Sequence, residues 1–262
     1  MIFKLLILEI RKLRSYRPVW WLLGLHFGFL ALILASLTSI FSQIEINGPE
    51  LSLGNEIFYK FPDVWQNLAF AAKWFATFLA ILVITSVSNE YSYRTNRQNI
   101  IDGLSRTQFI TSKVALVFLL GIIGTVFLWL ASTLLGLIYA GADHYFQNIE
   151  FLFAYFMSVI GLYSMALLFG VLIRKAALSI LALLGYAFIV EPIMRSQLPG
   201  EITRFLPLKT MGNLIPQPYG RYIPIEIVET ITHVEPLYLA TTTAYIALFL
   251  FLAYRVEQTR DL

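Results

Sequence analysis

The sequence predicts an all-α, polytopic membrane protein with six transmembrane helices, an N-terminal interfacial helix, and short outer-leaflet helices before the sixth span. Hydrophobic residues make up 58% of the 262 residues and charged residues only 13%, whereas soluble domains carry about 25% charged residues. Six stretches reach the length of about 20 apolar residues that crosses a bilayer. No internal repeat or low-complexity tract divides the chain, so residues 1–262 are predicted to form one transmembrane domain.

Residues 1–18 are predicted to form an elbow helix that lies in the membrane interface, because apolar and basic residues alternate at helical spacing. Pro18 then interrupts this helix, and Trp20 and Trp21 mark the headgroup level at which the first span begins. The apolar face holds Ile2, Phe3, Leu6, Ile10 and Leu13, and the basic residues, largely opposite, are Lys4, Arg11, Lys12 and Arg14.

The spans follow in order, and a polar segment separates each from the next. In the fifth span, Glu191 and Pro192 are expected to break both the hydropathy and the hydrogen-bond ladder of the helix. The extracytoplasmic loop at 196–236 contains six of the ten prolines, and residues 224–235 within it are amphipathic, as expected of a helix on the outer leaflet. The predicted spans are Val19–Ser42, Leu68–Ser88, Val114–Ala140, Ile149–Ile173, Ala176–Ile193 and Leu237–Tyr254.

The distribution of positive charge predicts the orientation. Thirteen Lys and Arg residues lie on the side of the N-terminus and five on the other side, while Lys73 lies within a span. This bias predicts a multi-pass protein of the cell (inner) membrane with both termini in the cytoplasm. The net charge of +3 is explained by anchors that face anionic membrane lipid, so nucleic acid is not expected as a partner.

The sequence contains no residue set for catalysis. It has no cysteine, and its three histidines, among them His26 in the first span, stand in no metal-ligand motif. It also contains no P-loop, dinucleotide fingerprint or nucleophile elbow. We therefore expect no catalytic residue, no bound metal and no cofactor in this chain, and any energy must come from another protein. His26 is expected to hydrogen-bond a neighbouring helix.

Three further features have two interpretations each. Lys73 is interpreted as an anchor that reaches the outer headgroups, and Glu191 as a partner of Arg195, each in preference to a direct role in transport. Gly24 and Gly28 form a GxxxG motif in the first span. This motif predicts close helix packing, either within the bundle or in a dimer.

The long polar stretch 89–113 separates the second span from the third. Residues 93–102 are predicted to form a short helix that Gly103 ends, and Ser105 with Gln108 has the pattern of a capping box at the start of the next helix. A short capped helix on the cytoplasmic face is predicted to be bound by a protein outside the membrane.

This stretch and the overall plan resemble permease subunits of the ABC-2 type, in which two six-span subunits pair with two separate ATPase subunits. In that family the loop runs as an acidic residue, Gly-Thr, several apolar positions, Pro-x-Ser-Arg, and a Lys that enters the third span. Arg94 replaces the usual glycine of the pattern, and Gly103 the usual proline. The matching residues are Glu90, Thr95, Ile100, Ile101, Ser105, Arg106 and Lys113.

The resemblance implies the transmembrane permease subunit of an ATP-driven ABC exporter. It would move lipid-like, amphipathic or peptide cargo out of the cytoplasm or inner leaflet, as a homodimer or with a similar chain, and ATP and Mg²⁺ would bind to the partner ATPase. The alternatives are a basic loop that binds nothing, an ATPase-independent secondary transporter or channel, and a membrane enzyme. The residues implied to contact the ATPase are Glu90, Thr95, Arg97, Ile100, Ile101, Asp102, Gly103, Leu104, Ser105 and Arg106.

Overall fold

The structure is a computed structural model that describes residues 2–41, 58–93, 103–218 and 231–259, together with Thr95, Gln98 and Ile101. Within this part of the chain the regular elements are all helical, and six helices are long and apolar enough to cross a membrane. The predicted all-α fold class with six membrane-spanning helices is therefore confirmed, while the interfacial and outer-leaflet positions of the shorter helices stay predictions. Most of the predicted outer-leaflet helix at 224–235 lies outside the described residues.

The chain begins with helix α1 (Ile2–Arg14), which is followed by the first span, α2 (Arg17–Phe41). The turn between them precedes Pro18, which is the second residue of α2, where the missing N–H would have no helical partner. The indole Nε1 of Trp20 donates a hydrogen bond to the carbonyl of Arg14 at 3.1 Å and fixes this turn.

The second span is a run of 30 residues made of α3 (Asp63–Ala72), a 3₁₀ turn (Lys73–Phe75) and α4 (Ala76–Ser92). The carbonyl of Phe75 lies 2.8 Å from Nδ1 of His26 in the first span. The predicted hydrogen bond from His26 to a neighbouring helix is thus confirmed. The span also begins before and ends after the predicted bounds.

Lys73 acts as an anchor, as interpreted, and its ammonium group bonds to backbone carbonyls of the protein. Its Nζ donates to the carbonyls of Gly212 and Ile215, at 3.2 and 3.0 Å, and lies 4.0 Å from the centre of the Phe70 ring. The physical reason is that carbonyls at the end of a short helix have no helical partner, so they can accept hydrogen bonds from an ammonium group inside the protein.

The third span is α5 (Arg106–Tyr139), and the fourth is α6 (Glu150–Ile173). α6 is the central helix, because 67% of its membrane-spanning stretch is buried, and it packs against α4 and α5. Gly170 of α6 lies where a Cβ atom would meet the side chain of Val87. Close contact between these helices therefore depends on small residues.

The fifth span consists of α7 (Ala176–Gly185), a π-helical segment (Tyr186–Val190) and α8 (Glu191–Gln197). The expected break at Glu191 and Pro192 is wrong, because the helical path continues to Gln197. Pro192 lies in the first turn of α8, and the N–H of Glu191 bonds to the carbonyl of Tyr186 across the wider π turn.

The chain after the fifth span folds back on the bundle before the sixth. It forms α9 (Gly200–Thr203) and α10 (Pro207–Asn213), and the sixth span is α11 (Pro236–Thr259). The carboxylate of Glu191 is fully buried, bonds Arg195 as predicted, and accepts the backbone N–H of Leu208 at 2.9 Å. Glu191 therefore ties the fifth span to α10.

Candidate functional site

Helix α1 and the ends of three spans meet at one end of the bundle, which we call the polar end. The three span ends are the last turn of α4, the first turns of α5 and the last turn of α11. The described residues of the polar stretch, including Thr95 and Gln98, lie there as well.

Four charged side chains at the polar end form what we call the ionic cluster: Glu9, Lys12, Glu90 and Lys113. The Nζ atom of Lys113 is 2.6 Å from Oε2 of Glu9 and also bonds Oε1 of Glu90. The Nζ atom of Lys12 lies 3.2 Å from both carboxylate oxygens of Glu90. The cluster therefore connects α1 to the end of α4 and to α5.

The charges of the ionic cluster balance, with two carboxylates and two ammonium groups. Glu9, Glu90 and Lys113 are buried, while the Lys12 side chain keeps 41% of its surface exposed. Removing one partner of a buried ion pair costs about 3–5 kcal/mol, because it leaves an uncompensated charge. The three elements are thus held together strongly as long as all three buried charges are present.

A cavity of about 340 Å³ opens beside the ionic cluster, between α1, the end of α4 and the polar stretch. Its lining combines charged, polar, aromatic and aliphatic side chains, and the ionic cluster forms part of it. The other residues around it are Leu13, Tyr16, Ser86, Asn89, Tyr93, Thr95 and Gln98.

Among the described residues of the predicted coupling helix, Thr95, Gln98 and Ile101 are helical and exposed, whereas Tyr93 is exposed but lies in the turn that ends α4. Ile101 exposes 77% of its surface. The hydroxyl of Thr95 donates to the carbonyl of Glu90 at 3.4 Å. Arg97, Ile100 and Asp102 lie outside the described residues.

The turn after this helix has the predicted geometry. Gly103 has a φ of +98°, which an L side chain rarely adopts. Ser105 and Gln108 form the capping box, since the Ser105 hydroxyl accepts the N–H of Gln108 at 3.1 Å and the Gln108 side chain accepts the N–H of Ser105 at 2.8 Å. Leu104 is half-buried against the core, and Arg106 donates to the carbonyl of Gln258 at 3.2 Å.

The structure places the predicted contact residues in two groups. One group is exposed or half-buried at the surface, and the other is Glu90 alone, which is buried inside the ionic cluster. The exposed residues are Thr95, Ile101, Gly103 and Ser105, and the half-buried ones are Leu104 and Arg106. Contact of these residues with an ATPase stays a prediction. Glu9 is the residue that the sequence does not mark as functional, although a single acidic residue within an apolar and basic helix is a weak signal for a buried ion pair.

Two other candidate features can be located. Gly24 and Gly28 are exposed, and a Cβ atom built on either one would meet no atom within 4 Å, so they do not pack against the described part of the bundle. Their role in a dimer stays a prediction. Across the described ranges no group of three or more His, Asp or Glu side chains is arranged to hold a metal ion.

Comparison with protein families adds a separate finding. A sequence-family model described as ABC-2 family transporter protein matches residues 5–190. The matched region extends from α1 into the fifth span and includes the whole polar stretch. A comparison with curated proteins finds no match. Six helices able to span a membrane and a family match over most of the sequence agree with each other, and the chain therefore belongs to the ABC-2 family as a multi-pass membrane permease of an ABC transporter.

Proposed function

We propose that a separate ABC ATPase subunit drives this permease by binding the segment from Glu90 to Arg106, which we call the coupling segment. The observation that carries this proposal is the ionic cluster. Glu90 is the first residue of the coupling segment and Lys113 lies after it, and both bond to residues of α1. A protein that displaces the coupling segment therefore displaces α1 as well.

The ionic cluster resists being pulled apart. Separating Lys113 from Glu9 leaves a buried charge without its partner, which costs about 3–5 kcal/mol. Lys12, at the exposed edge of the cluster, holds Glu90 from the other side. We propose that these three helices move as one unit when the ATPase closes around ATP and Mg²⁺.

The exposed residues of the coupling segment form the proposed contact. Ile101 provides the apolar part, and burying an isoleucine contributes about 1.5–3 kcal/mol. Gly103 and Ser105 set the direction in which the segment leaves the bundle, while Glu90 acts from behind through the ionic cluster. The polar contacts are assigned to Thr95, Arg97, Asp102 and Arg106, and Ile100 and Leu104 complete the apolar part.

We further propose that the chain is an exporter that works as a homodimer or with a similar chain. It would lie in the cell membrane with both termini on the cytoplasmic side. The charge bias of the sequence supports this orientation. Lipid-like, amphipathic or peptide cargo is proposed because the spans are apolar enough to offer such cargo a path.

Recovery of the ATPase tests the proposed contact. The tagged chain is co-expressed with a candidate ABC ATPase, and the amount of recovered ATPase and its rate of ATP hydrolysis are measured. Ile101→Ala is expected to weaken the complex about tenfold, because it removes about 1.4 kcal/mol of apolar burial. Substitution of Asp102 and Arg106 together is also expected to reduce recovery.

Ile138→Ala is the matched control, since Ile138 is an isoleucine of α5 with 63% of its surface exposed at the other end of the helix. It should leave recovery unchanged. Full recovery and normal hydrolysis with Ile101→Ala and with the Asp102 and Arg106 variant would contradict the proposed contact. Transport of cargo by the purified chain without an ATPase would favour the secondary transporter instead.

A further inference from the structure

Three side chains from three separate elements meet at the polar end, next to the ionic cluster. Tyr91 belongs to the last turn of α4, Glu257 to the last turn of α11, and Arg174 to the turn between α6 and α7. The hydroxyl of Tyr91 donates to Oε2 of Glu257 at 2.5 Å. The same oxygen lies 3.8 Å from Nη2 of Arg174.

The three side chains also contact one another directly. The guanidinium carbon of Arg174 lies 4.8 Å from the centre of the Tyr91 ring, within the range of a cation–π interaction. The Glu257 side chain keeps only 1% of its surface exposed, and a buried carboxylate requires partners for its charge. Tyr91 and Arg174 provide such partners, so the three residues form one unit.

The backbone of Arg174 indicates that its side chain matters. Arg174 ends α6 with a φ of +59°, in the left-handed region where glycine is the usual residue. An arginine in this conformation is strained relative to glycine. A glycine would end the helix more easily, but it could not make the contacts that the arginine side chain makes with Tyr91 and Glu257.

The end of α11 also contacts residues at the C-terminal end of the coupling segment and just after it. Arg106 donates to the carbonyl of Gln258 at 3.2 Å, and the hydroxyls of Thr111 and Tyr254 are 2.9 Å apart. Residues at both ends of the coupling segment, Tyr91 and Arg106, therefore contact the last turn of α11. Displacement of the segment would act on α11 from two sides.

We infer that Tyr91, Arg174 and Glu257 are positioning residues that pass the movement of the coupling segment to the sixth span and to the turn between the fourth and fifth spans. This inference rests on the proposed function. Glu90 and Tyr91 are neighbours in sequence, and one bonds towards α1 while the other bonds towards α11. Movement of the coupling segment would thus reach two separate helices, α1 and α11, and α11 would pass it to the other end of the bundle.

The chain contains no cysteine, so two introduced cysteines can be spin-labelled without other changes. We place them at Phe146 and Leu237, which are exposed at the end of the bundle away from the coupling segment. The distance between the labels is measured by electron paramagnetic resonance in the complex with the ATPase, in lipid nanodiscs, without nucleotide and with ATP and vanadate. The nucleotide-dependent change is expected to fall by at least half in Tyr91→Phe and in Arg174→Gly.

Two further measurements separate positioning from a structural role. Arg174→Gly relieves the backbone strain but removes the cation beside Glu257, so the two effects oppose each other and the thermal unfolding midpoint should change little. The amount of bound ATPase should stay the same. Tyr139→Phe removes a hydroxyl at the far end of α5, and Lys175→Gln removes the neighbouring positive charge. Both controls should keep the full change in distance.

Each contrary outcome identifies what has failed. An unchanged response in both variants, or a wild-type pair that does not respond to nucleotide, overturns the inference and leaves the proposed function standing. A loss of bound ATPase together with a lowered unfolding midpoint in Arg174→Gly assigns the three residues a structural role and also overturns it. A wild-type chain that recovers no ATPase overturns the proposed function, and the inference with it.

Discussion

Lys113 carries its charge inside the bundle, where Glu9 and Glu90 hold it from two different helices. The Nζ atom has a further acceptor in the carbonyl of Ser86 at 3.2 Å. A buried ammonium group with three acceptors keeps a fixed position, because each acceptor restricts it in a different direction. Lys113 therefore fixes the distance between α1, α4 and α5.

We expect Lys113→Met to lower the free energy of unfolding by about 3–5 kcal/mol, because both carboxylates then remain buried without their main partner. Thermal unfolding of the purified chain in detergent measures the change. Lys12→Met is the matched control: its side chain is 41% exposed, so the expected loss is below about 1 kcal/mol.

A combined variant tests the explanation. Glu9→Gln, Glu90→Gln and Lys113→Met together remove every charge that Lys113→Met leaves without its main partner, and most of the lost stability should return. Equal losses for Lys12→Met and Lys113→Met would contradict the assignment of the buried charges, as would a combined variant less stable than Lys113→Met.

Individual residues of the site are predictable from sequence only in part. Glu90 and Lys113 stand out because they match a family pattern, and the capping box at Ser105 follows from local hydrogen-bonding rules. The partner Glu9 does not stand out, because it is separated from Lys113 by 104 positions. Contacts between distant positions depend on how the helices pack, which one sequence does not specify.

At the scale of helices, the glycines of α6 decide how closely its neighbours approach. A Cβ atom at Gly170 would collide with the branched side chain of Val87, and one at Gly161 would lie 2.8 Å from the end of the Met211 side chain. Valine in a helix has one strongly preferred side-chain conformation, whereas methionine has three rotatable bonds. The two glycines therefore tolerate substitution differently.

We expect Gly170→Ala to destabilise the fold by about 1–3 kcal/mol, because Val87 cannot move away without shifting α4. Gly161→Ala is the matched control and should be neutral or slightly stabilising, since Met211 can adjust and alanine favours a helix by about 1 kcal/mol over glycine. The midpoints of thermal unfolding give the comparison. Equal midpoints for the two variants would show that α4 and α6 are not in close contact.

The elements themselves are largely predictable, since all six spans appear where hydropathy places them. Their ends are less predictable, because a helix continues past its apolar part as long as its polar residues find partners. The second span reaches Ser92, beyond the predicted Ser88, since Glu90 and Tyr91 bond inside the protein. Pro192 similarly does not end the fifth span, because the π segment accommodates it.

At the scale of the whole molecule, the first span leaves a strip of glycine surface uncovered. We expect Gly28→Leu to leave the stability of the single chain unchanged or slightly raised, because a Cβ atom there meets no atom within 4 Å. Association of two copies should be lost if this strip forms the proposed dimer contact. Cross-linking in native membranes measures the association.

Phe29→Leu is the control for this dimer test, since Phe29 is exposed on the same helix beside Gly28 and the change keeps an apolar side chain. Dimers of Gly28→Leu at the wild-type level would exclude the glycine strip as the contact. The assembly itself is not predictable from one chain, because the residues that face a second copy and those that face lipid are equally apolar.

The π segment of the fifth span has a consequence for how this helix tolerates length changes. One additional residue in a turn rotates everything after it by about 100° relative to a regular helix. That rotation is what turns Glu191 towards Leu208 while Phe188 and Ile189 remain exposed. The rotation of the helix after the π segment, rather than the overall apolarity of the span, directs this carboxylate into the protein. Insertions and deletions in the π segment would change that rotation, so we expect them to be tolerated less well than substitutions.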